Sequence, residues 1–393
     1  MIEDGVISSL KNQAKNLSDQ IINWRRLFHS MPELKMETPL TEQAIIKELE
    51  KLGVSEIRSG VGGHGVVAVI RGNACDETIA IRSDCDGLPI KEETSLPFRS
   101  TNGNMHACGH DAHVATALGA VKLIIDNKRY LNCNVKFIFQ PYEEGDGGAK
   151  LMLADGVLEN PKVDEIIAMH VNVDPCKDYV LGDVLISNKP TSAGIYAYEA
   201  TFMGKQSHVC NSHTAINPVH CACTAVSEIA KISKLNSEVV NAVTIINGGV
   251  RNNVIPETCA ISGSIRSFND VLHKQTIDKV NSILEEVAKD FDCKLNVKTT
   301  IDLMPMKIDL GVYERFENVV NAMYPSRNAI QLKERDLIGE DFARFSHKVP
   351  AMHFFFHVKK RGESYPLHSP KFDIDDSVLY KASAILAGFT LLR

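Results

Sequence analysis

The sequence predicts an α/β fold with a mixed, largely parallel sheet, into which a smaller α+β domain is inserted. Over residues 1–190, short β-rich runs alternate with helical periodicity, which is typical of a largely parallel sheet. Near residue 190 the order changes to β-α-β-β-α-β, the split unit of ferredoxin-like domains. Further α/β elements follow from residue 304 onward. These three observations divide the chain into the segments 1–190, 191–303 and 304–393.

Each element is predicted from apolar periodicity or from β-rich composition. Helices are predicted where apolar residues recur about every 3.6 positions, and strands where short β-rich runs lie between turn residues. In the first segment the predicted helices are 7–27, 41–52 and the stretch after His110, and the predicted strands are 66–70, 78–81, 134–139 and 165–170. In the second segment the predicted strands are 194–203, 239–247, 258–267 and 294–299, and the predicted helices are 216–233 and 271–291. A predicted helix at 310–323 begins the third segment.

The composition narrows the class of protein. The chain has 393 residues, a net charge of −6 and 44% hydrophobic residues. The negative charge argues against a nucleic-acid partner, and the apolar content excludes a disordered acidic chain. No apolar run approaches the about 20 residues of a membrane span, and the N-terminus lacks a signal-peptide pattern. Ten cysteines without a CxxC pair are typical of reduced thiols, so we expect a cytoplasmic protein with no membrane partner.

Two pairs of acidic residues follow predicted strands. Asp84 and Asp86 lie just beyond one strand, at the end where parallel sheets bind ligands. Taken alone, this pair is explained more simply as a polar loop. Glu143 and Glu144 follow another strand, where one carboxylate could bind a metal while its neighbour reaches a water. A solvated turn is the equally plain alternative for this second pair.

The segment 105–113, which reads Met-His-Ala-Cys-Gly-His-Asp-Ala-His, is the strongest local signal for a metal site. Thiolate, imidazole and carboxylate are the ligands of zinc and related divalent metals. A helix start capped by Asp111 is the structural alternative, but it leaves three histidines unexplained. His170 and His368 are isolated in the sequence, and isolated histidines are more often structural than ligands.

Together these segments resemble the co-catalytic metallopeptidase and aminoacylase clan. The resemblance is to the branch of amidohydrolases similar to hippurate hydrolases, auxin-conjugate hydrolases and N-acetyldiaminopimelate deacetylases. It runs from Trp24–Leu34 to Pro366–Asp375, nearly the whole chain. It implies a metallopeptidase-type catalytic domain formed by 1–190 and 304–393, with 191–303 as an inserted lid or dimerisation domain.

The resemblance also implies a role for each candidate residue. Glu143 matches the general base, and Asp86 matches an acid that supports the site without binding metal. The residues that match metal ligands are Cys108, His110, Glu144, His170 and His368. In the lid, His208 matches a contact to the substrate carbonyl, whereas Asn253 and Arg266 match residues that position the substrate carboxylate. The residues expected to be structural or supporting rather than ligating are His29, His106, His113 and Asp84, the last standing where related branches carry a ligand histidine.

The implied function is metal-dependent hydrolysis of the amide bond of N-acyl-amino acids, or of similar small amides, to a carboxylic acid and an amino acid. It implies two divalent ions per subunit. Zinc or manganese is the expected metal, and cobalt or nickel can also occupy such sites. A small-peptide carboxypeptidase or dipeptidase with the same two-metal site is one alternative. A catalytically inactive metal- or thiol-binding module is an alternative of another class. The resemblance also allows a homodimer through the lid.

Overall fold

The computed structural model describes residues 4–73, 76–145, 147–175, 179–233, 238–327, 329–362 and 364–393. Asp146, which follows Glu143 by three positions, lies outside these residues. The chain forms two compact units. The first unit comprises Met1–Thr191, Lys307–Glu334 and Arg344–Arg393, and the second comprises Ser192–Met306 and Arg335–Ala343.

The helices and strands are numbered along the chain. The elements before the second unit are α1 (Asp4–Asn16), α2 (Ser18–His29), α3 (Pro39–Lys51), β1 (Glu56–Val61), β2 (Gly65–Ile70), β3 (Thr78–Asp84), α4 (His110–Asp126), β4 (Asn134–Gln140), α5 (Gly148–Ala154), β5 (Glu165–Asn172) and β6 (Val184–Ile186). The next elements are β7 (Gly194–Met203), β8 (Ser207–His208), α6 (Pro218–Ser233), β9 (Val239–Gly248), β10 (Val254–Ile255), β11 (Thr258–Ser267), α7 (Asp270–Asp290) and β12 (Lys294–Leu303). The last are α8 (Leu310–Met323), β13 (Ile330–Gln331), α9 (Ala343–Ser346), β14 (Ala351–His357) and α10 (Leu379–Leu391).

The sheet of the first unit is mixed, with a parallel centre. Its strand order is β1-β2-β4-β3-β5-β14-β6-β13. The four central strands β4, β3, β5 and β14 run parallel to one another. Antiparallel pairs join β1 to β2, β2 to β4 and β14 to β6. This arrangement confirms the predicted α/β class with a largely parallel sheet.

The centre of this sheet is buried, as expected for parallel strands covered on both faces. Every residue of β3 and β4 is buried. Helix α4 is buried along nearly its whole length and packs against α2 and α10. The carboxyl ends of the central strands are therefore held by a dense core, and side chains placed there have fixed positions.

The N-terminal helix differs from the prediction in one respect. The predicted helix 7–27 is two helices, α1 and α2, which are separated at Leu17. Asn16 and Ser18 flank this break, and both residue types hydrogen-bond to nearby backbone in ways that compete with a helix. The apolar face nevertheless continues through the break, because Leu10, Ala14 and Ile21 are all buried.

The second unit has the predicted β-α-β-β-α-β order. Its four long strands form an antiparallel sheet in the order β12-β7-β11-β9. Buried residues of α6 and α7, such as Ala225 and Leu284, pack with Phe202 of the sheet in one core. This is the topology of the split β-α-β unit.

One segment groups differently from the predicted boundaries. Arg335–Ala343 belongs to the second unit, whereas all of 304–393 was predicted to belong to the other domain. Ala193 donates its backbone N–H to the carbonyl of Ile338, and Arg266 donates to the carbonyl of Leu337 at 2.6 Å. These contacts between residues distant in sequence leave no local pattern.

Within the described residues, no helix combines the length and the apolar character needed to cross a bilayer.

Candidate metal centre

The candidate residues meet at the carboxyl ends of the central parallel strands. Asp84 ends β3, and Asp86 follows it by two positions. Glu143 and Glu144 follow β4, and His170 lies near the end of β5. Ligands bind at this edge of open α/β sheets because loops from neighbouring strands converge there.

Gly109 sets the chain direction between two candidate ligands. It precedes the first residue of α4 with φ of 84°, in the left-handed region that glycine adopts without cost. A Cβ at this position would lie 2.5 Å from Val171 Cγ2, so β5 also leaves no room for a side chain. Cys108 and His110 are therefore presented on either side of a tight turn against β5.

Five side chains form two groups that share Cys108. In the first group, Cys108 Sγ lies 3.4 Å from His170 Nε2, and His110 completes the set. In the second group, His368 Nε2 lies 3.4 Å from Cys108 Sγ and 3.4 Å from Glu144 Oε1. Within each group the ligand atoms lie within 4.8 Å of one another, so one ion could bind all three.

The rings of two histidines are oriented as metal ligands usually are. Nδ1 of His110 lies 2.9 Å from the carbonyl oxygen of Asp86, and Nδ1 of His170 lies 2.7 Å from that of Val171. Ligating histidines commonly donate one ring N–H in this way, which leaves Nε2 to bind the metal. Burial, aided by the nearby His113, holds the pKa of His170 well below its usual range, so this ring is neutral.

His110 Nε2 is a buried polar atom with no hydrogen-bond partner among the described residues. Buried nitrogen atoms rarely lack a partner in folded proteins. The nearest acidic atoms are Asp84 Oδ2 at 3.8 Å and Glu144 Oε1 at 3.9 Å, both beyond hydrogen-bond distance. A cation between these atoms would satisfy the nitrogen, so the geometry fits a bound metal.

The charges around the two groups favour a cation. Burial lowers the pKa of His110, but Asp84, Asp86 and Glu144 outweigh burial and raise it to about 10. Burial raises the pKa of Cys108 well above its usual value, and the carboxylates of Glu144 and Glu143 raise it further. Without metal both side chains therefore keep their protons. A divalent ion would neutralise the surrounding carboxylates and displace those protons.

His113 has both ring nitrogens occupied and is not placed as a ligand. Its Nδ1 hydrogen-bonds Asp84 Oδ1, and its Nε2 accepts the backbone N–H of Val171 at 3.0 Å. The other Asp84 oxygen accepts from Arg82 at 2.7 Å. The chain Arg82–Asp84–His113 thus fixes the backbone of β5 next to His170. No role was predicted for Arg82, although it lies two residues from Asp84 and hence on the same face of the strand.

Asp86 orients the loop that carries the two glutamates. Its Oδ1 accepts the backbone N–H of Glu143 at 3.0 Å, and its Oδ2 accepts that of Glu144 at 3.3 Å. Its Oδ1 also lies 3.4 Å from His110 Nδ1. A single buried carboxylate therefore ties β3, α4 and the loop after β4 together.

The three candidate substrate contacts of the second unit do not lie together. His208 pairs with Val254 through β8 and β10, and Val209 donates its N–H to the carbonyl of Asn253. His208 and Asn253 are exposed neighbours beyond one end of β11. Arg266 lies near the other end of β11, and the eight steps along the strand from Thr258 to Arg266 span roughly 26 Å at about 3.3 Å per residue. The structure therefore separates Arg266 from Asn253, with which the sequence analysis grouped it.

The sequence matches the peptidase family M20/M25/M40 over residues 80–391. The chain belongs to this family. This membership confirms the resemblance found in the sequence, and it confirms an enzyme that hydrolyses amide bonds.

Related proteins span nearly the whole chain. The thermostable carboxypeptidase 2 of Saccharolobus solfataricus is 33% identical over 384 residues, which is 95% of this chain and 95% of that protein. The N-acetyldiaminopimelate deacetylase of Lactococcus lactis is 31% identical over 383 residues, which is 94% of this chain and 97% of that protein. The crystal structure of a Bacillus subtilis protein, described as a dinuclear metal-binding peptidase of the M20 family, matches with a TM-score of 0.81 and 29% identity over 96% of this chain and 98% of that one.

Proposed function

We propose that this enzyme hydrolyses the amide bond of N-acyl-amino acids with the help of two divalent metal ions, releasing a carboxylic acid and an amino acid. The observation that carries the proposal is that Cys108 belongs to two ligand groups at once. A second carboxylate, Glu143, lies within 4.8 Å of ligand atoms of His110 and Glu144. The deacetylase from Lactococcus lactis and the dinuclear peptidase from Bacillus subtilis support it.

The ligand groups would each hold one ion. The residues of the first group are Cys108, His110 and His170, and those of the second are Cys108, Glu144 and His368. When bound, the two ions would lower the pKa of a water and stabilise the charge that develops on the amide oxygen. Because sulfur, nitrogen and oxygen ligands are mixed, we propose zinc or manganese as the bound metal, with cobalt or nickel as substitutes.

Glu143 is proposed as the general base. It belongs to neither of the groups that share Cys108, although it is the sequence neighbour of the ligand Glu144. Asp86 fixes the peptide N–H groups of both glutamates, so each side chain leaves the loop from a defined position. The Glu143 carboxylate would take a proton from the attacking water and then return it to the leaving amine.

The second unit is proposed to contact the substrate. His208 and Asn253 would contact one part of it, and Arg266 would pair with its free carboxylate through a two-pronged hydrogen bond. Because His208 and Arg266 lie near opposite ends of β11, one small substrate cannot reach both within a single second unit.

We therefore propose a homodimer in which the second copy supplies one of these contacts. Strand β9 lies at the edge of its sheet and exposes about half of Ile245 and of Ile246. Exposed apolar side chains on an unpaired strand edge are typical of a surface that pairs with another chain.

A small-peptide carboxypeptidase is the second candidate, and the Saccharolobus carboxypeptidase supports it. Both activities cleave an amide bond to an amino acid with a free carboxylate. The substrates differ only in the group on the carbonyl side, which is a simple acyl group in one case and an aminoacyl group in the other. N-acetyl and N-benzoyl amino acids should be assayed beside dipeptides, using protein reloaded with each of the four metals. We expect faster turnover of the N-acyl substrates. Turnover confined to dipeptides would replace this proposal with the second one.

The paired variants Glu143→Gln and Glu144→Gln test the mechanism. Glu143→Gln keeps the side-chain shape and removes the base, so turnover should fall about 10²–10⁴-fold while two metal equivalents remain bound. Glu144→Gln should instead lose metal, and excess metal should partly restore its activity. Elemental analysis and the turnover number on one N-acetyl-amino acid give both quantities. Activity of Glu143→Gln within about fivefold of wild type, below the range of such catalysis, would refute the role of Glu143.

A further inference from the structure

We propose that Arg25 is a positioning residue that fixes the spacing between the two chain segments that carry His110 and His368. This inference rests on the metal centre proposed above, and it goes beyond that centre because Arg25 lies on α2 and belongs to neither ligand group. The Arg25 side chain is 1% exposed, which is rare for a guanidinium unless charged partners surround it.

The Arg25 guanidinium joins two acids that are distant in sequence. Its Nε donates to Asp111 Oδ2 at 2.8 Å, and its Nη2 donates to Asp373 Oδ1 at 3.2 Å. Asp111 directly follows His110 in the first turn of α4. Asp373 follows His368 by five residues, in the segment between β14 and α10. One rigid planar group therefore sets the distance between the two segments.

Asp111 is held from a second side as well. The same oxygen, Oδ2, lies 2.7 Å from His29 Nδ1, and His29 Nε2 lies 3.2 Å from Glu92 Oε1. All of these side chains are buried. Such a network leaves the start of α4 little freedom, because moving Asp111 would break contacts with both α2 residues.

The two segments also touch through apolar and backbone contacts. The Phe372 ring lies 3.6 Å from the position of a Cβ on Gly109, and His368 donates its N–H to the carbonyl of Ala107 at 2.8 Å. These contacts join the segments at Ala107, Gly109 and His368, but they do not constrain the distance from Asp111 to Asp373. The Arg25 bridge adds that constraint, and it should matter most for an ion that depends on His368.

The positioning role of Arg25 is tested by comparing the variants Arg25→Lys and Asp373→Asn with two matched controls. Arg25→Lys keeps the charge but loses the planar fork. Asp373→Asn leaves Arg25 and Asp111 paired, so it folds even if Arg25→Lys does not. Arg26→Gln is the first control, because Arg26 neighbours Arg25 on α2, is 44% exposed and contacts neither Asp111 nor Asp373. Its partner is Asp376 at 3.1 Å, which lies 3.9 Å from Arg25 Nη1. Lys360→Gln is the second, because it removes only the other partner of Asp373.

The readouts are the cobalt affinity of the weaker-bound ion, measured by competition with a chelator, and the visible absorption of the cobalt-loaded protein. We expect Arg25→Lys and Asp373→Asn to weaken that ion about 10–100-fold and to change the spectrum, since supporting contacts of metal ligands have effects of this size. Both controls should stay within about twofold of wild type, well below that range.

Wild-type affinity and an unchanged spectrum in both variants would overturn the positioning role, even if their thermal stability fell, because a purely structural contact would give that result. A different result is expected if the proposed two-metal centre itself is wrong. In that case the wild-type chain would bind fewer than two cobalt ions before any substitution was made, and the role of Arg25 would fall with the proposed function.

Discussion

Cys108 and His368 lie 260 positions apart in the sequence, yet His368 Nε2 is 3.4 Å from Cys108 Sγ. His368 has φ of 63°, a left-handed conformation that is uncommon for a residue with a side chain. Such conformations cost energy and cluster at functional sites, where surrounding contacts hold them. The hydrogen bond from His368 to Ala107 is one such contact. The unfavourable backbone conformation of His368 thus accompanies the placement of its imidazole beside the thiol.

Cys108 should be protected by metal, unlike exposed cysteines such as Cys210 and Cys223. In the metal-free protein its thiol is protonated, because burial and two carboxylates raise its pKa. A bound ion would deprotonate and cover the sulfur. Because the thiolate is the reactive form, labelling should be prolonged and alkaline. Mass spectrometry should then show modified Cys108 only once a chelator has removed the metal. Equal labelling with and without chelator would show that Cys108 is not a ligand, and Cys210 provides the accessible control.

Gly109→Ala should disturb both ligand groups. An alanine at φ of 84° costs about 1–2 kcal/mol for its left-handed conformation alone. Its methyl group would also lie 2.5 Å from Val171, so the turn between Cys108 and His110 must move. Gly103→Ala is the matched control, since Gly103 has φ of 89° and nothing within 4 Å of its Cβ position.

Elemental analysis and denaturant unfolding separate the two effects of these alanines. Both variants should lose a similar amount of unfolding free energy from the backbone conformation, but only Gly109→Ala should lose metal. Full metal content in Gly109→Ala would mean that the turn tolerates displacement and that the ligand groups do not depend on it.

His29 should make stability depend on pH. Burial and Arg25 lower its pKa, but Asp111 and Glu92 outweigh them and raise it above the usual value. A raised pKa in the folded state means that the stabilisation is complete below the unfolded pKa of about 6.5 and is lost as the pH rises through the folded value. Wild type should therefore exceed His29→Gln in unfolding free energy most at acidic pH, and by less at alkaline pH.

Urea unfolding of metal-free protein between about pH 5 and pH 9 measures that difference. His220→Gln serves as the control, because it removes an imidazole from an exposed position on α6 and leaves the contacts of His29 intact. A gap between wild type and His29→Gln that stays constant over this range would show that folding does not shift the pKa of His29.

The sequence predicts most of the fold because helices and strands leave local periodic patterns. The helix 310–323 has the same bounds in the structure, and the four long strands of the second unit begin at the predicted residues. The break at Leu17 was missed because the apolar face continues across it. The assignment of Arg335–Ala343 was missed because it depends on contacts such as that from Arg266 to Leu337, which join residues far apart in sequence.

The candidate site likewise has some residues that a local sequence pattern predicts and others that depend on contacts between distant segments. The segment 105–113 and the two acidic pairs were identifiable locally, because ligand residues cluster after strands. His170 and His368 were assigned only through the family resemblance, since nothing nearby in the sequence marks them. The resemblance implied a supporting role for His113, but its contacts could not be predicted, because its second ring nitrogen accepts the backbone N–H of Val171, which is distant in sequence. Only the folded chain shows that this histidine is unavailable to a metal.

The separation of His208 from Arg266 predicts complementation between inactive variants. In the proposed homodimer each site needs His208 from one copy and Arg266 from the other. His208→Ala and Arg266→Ala should each be nearly inactive while keeping their metal. Co-expression in equal amounts should restore about a quarter of wild-type activity, because half of the dimers are mixed and each mixed dimer has one intact site of two.

The turnover of a purified mixed preparation on one N-acetyl-amino acid measures this recovery, with metal content checked in parallel. Glu143→Gln mixed with Glu144→Gln is the control, because both residues lie in the first unit and would act in the same site of one copy. That mixture should recover nothing. If the His208 and Arg266 variants also fail to complement, the two residues do not serve one site from different copies. Since roughly 26 Å of β11 separates them, at least one would then not contact the substrate at all.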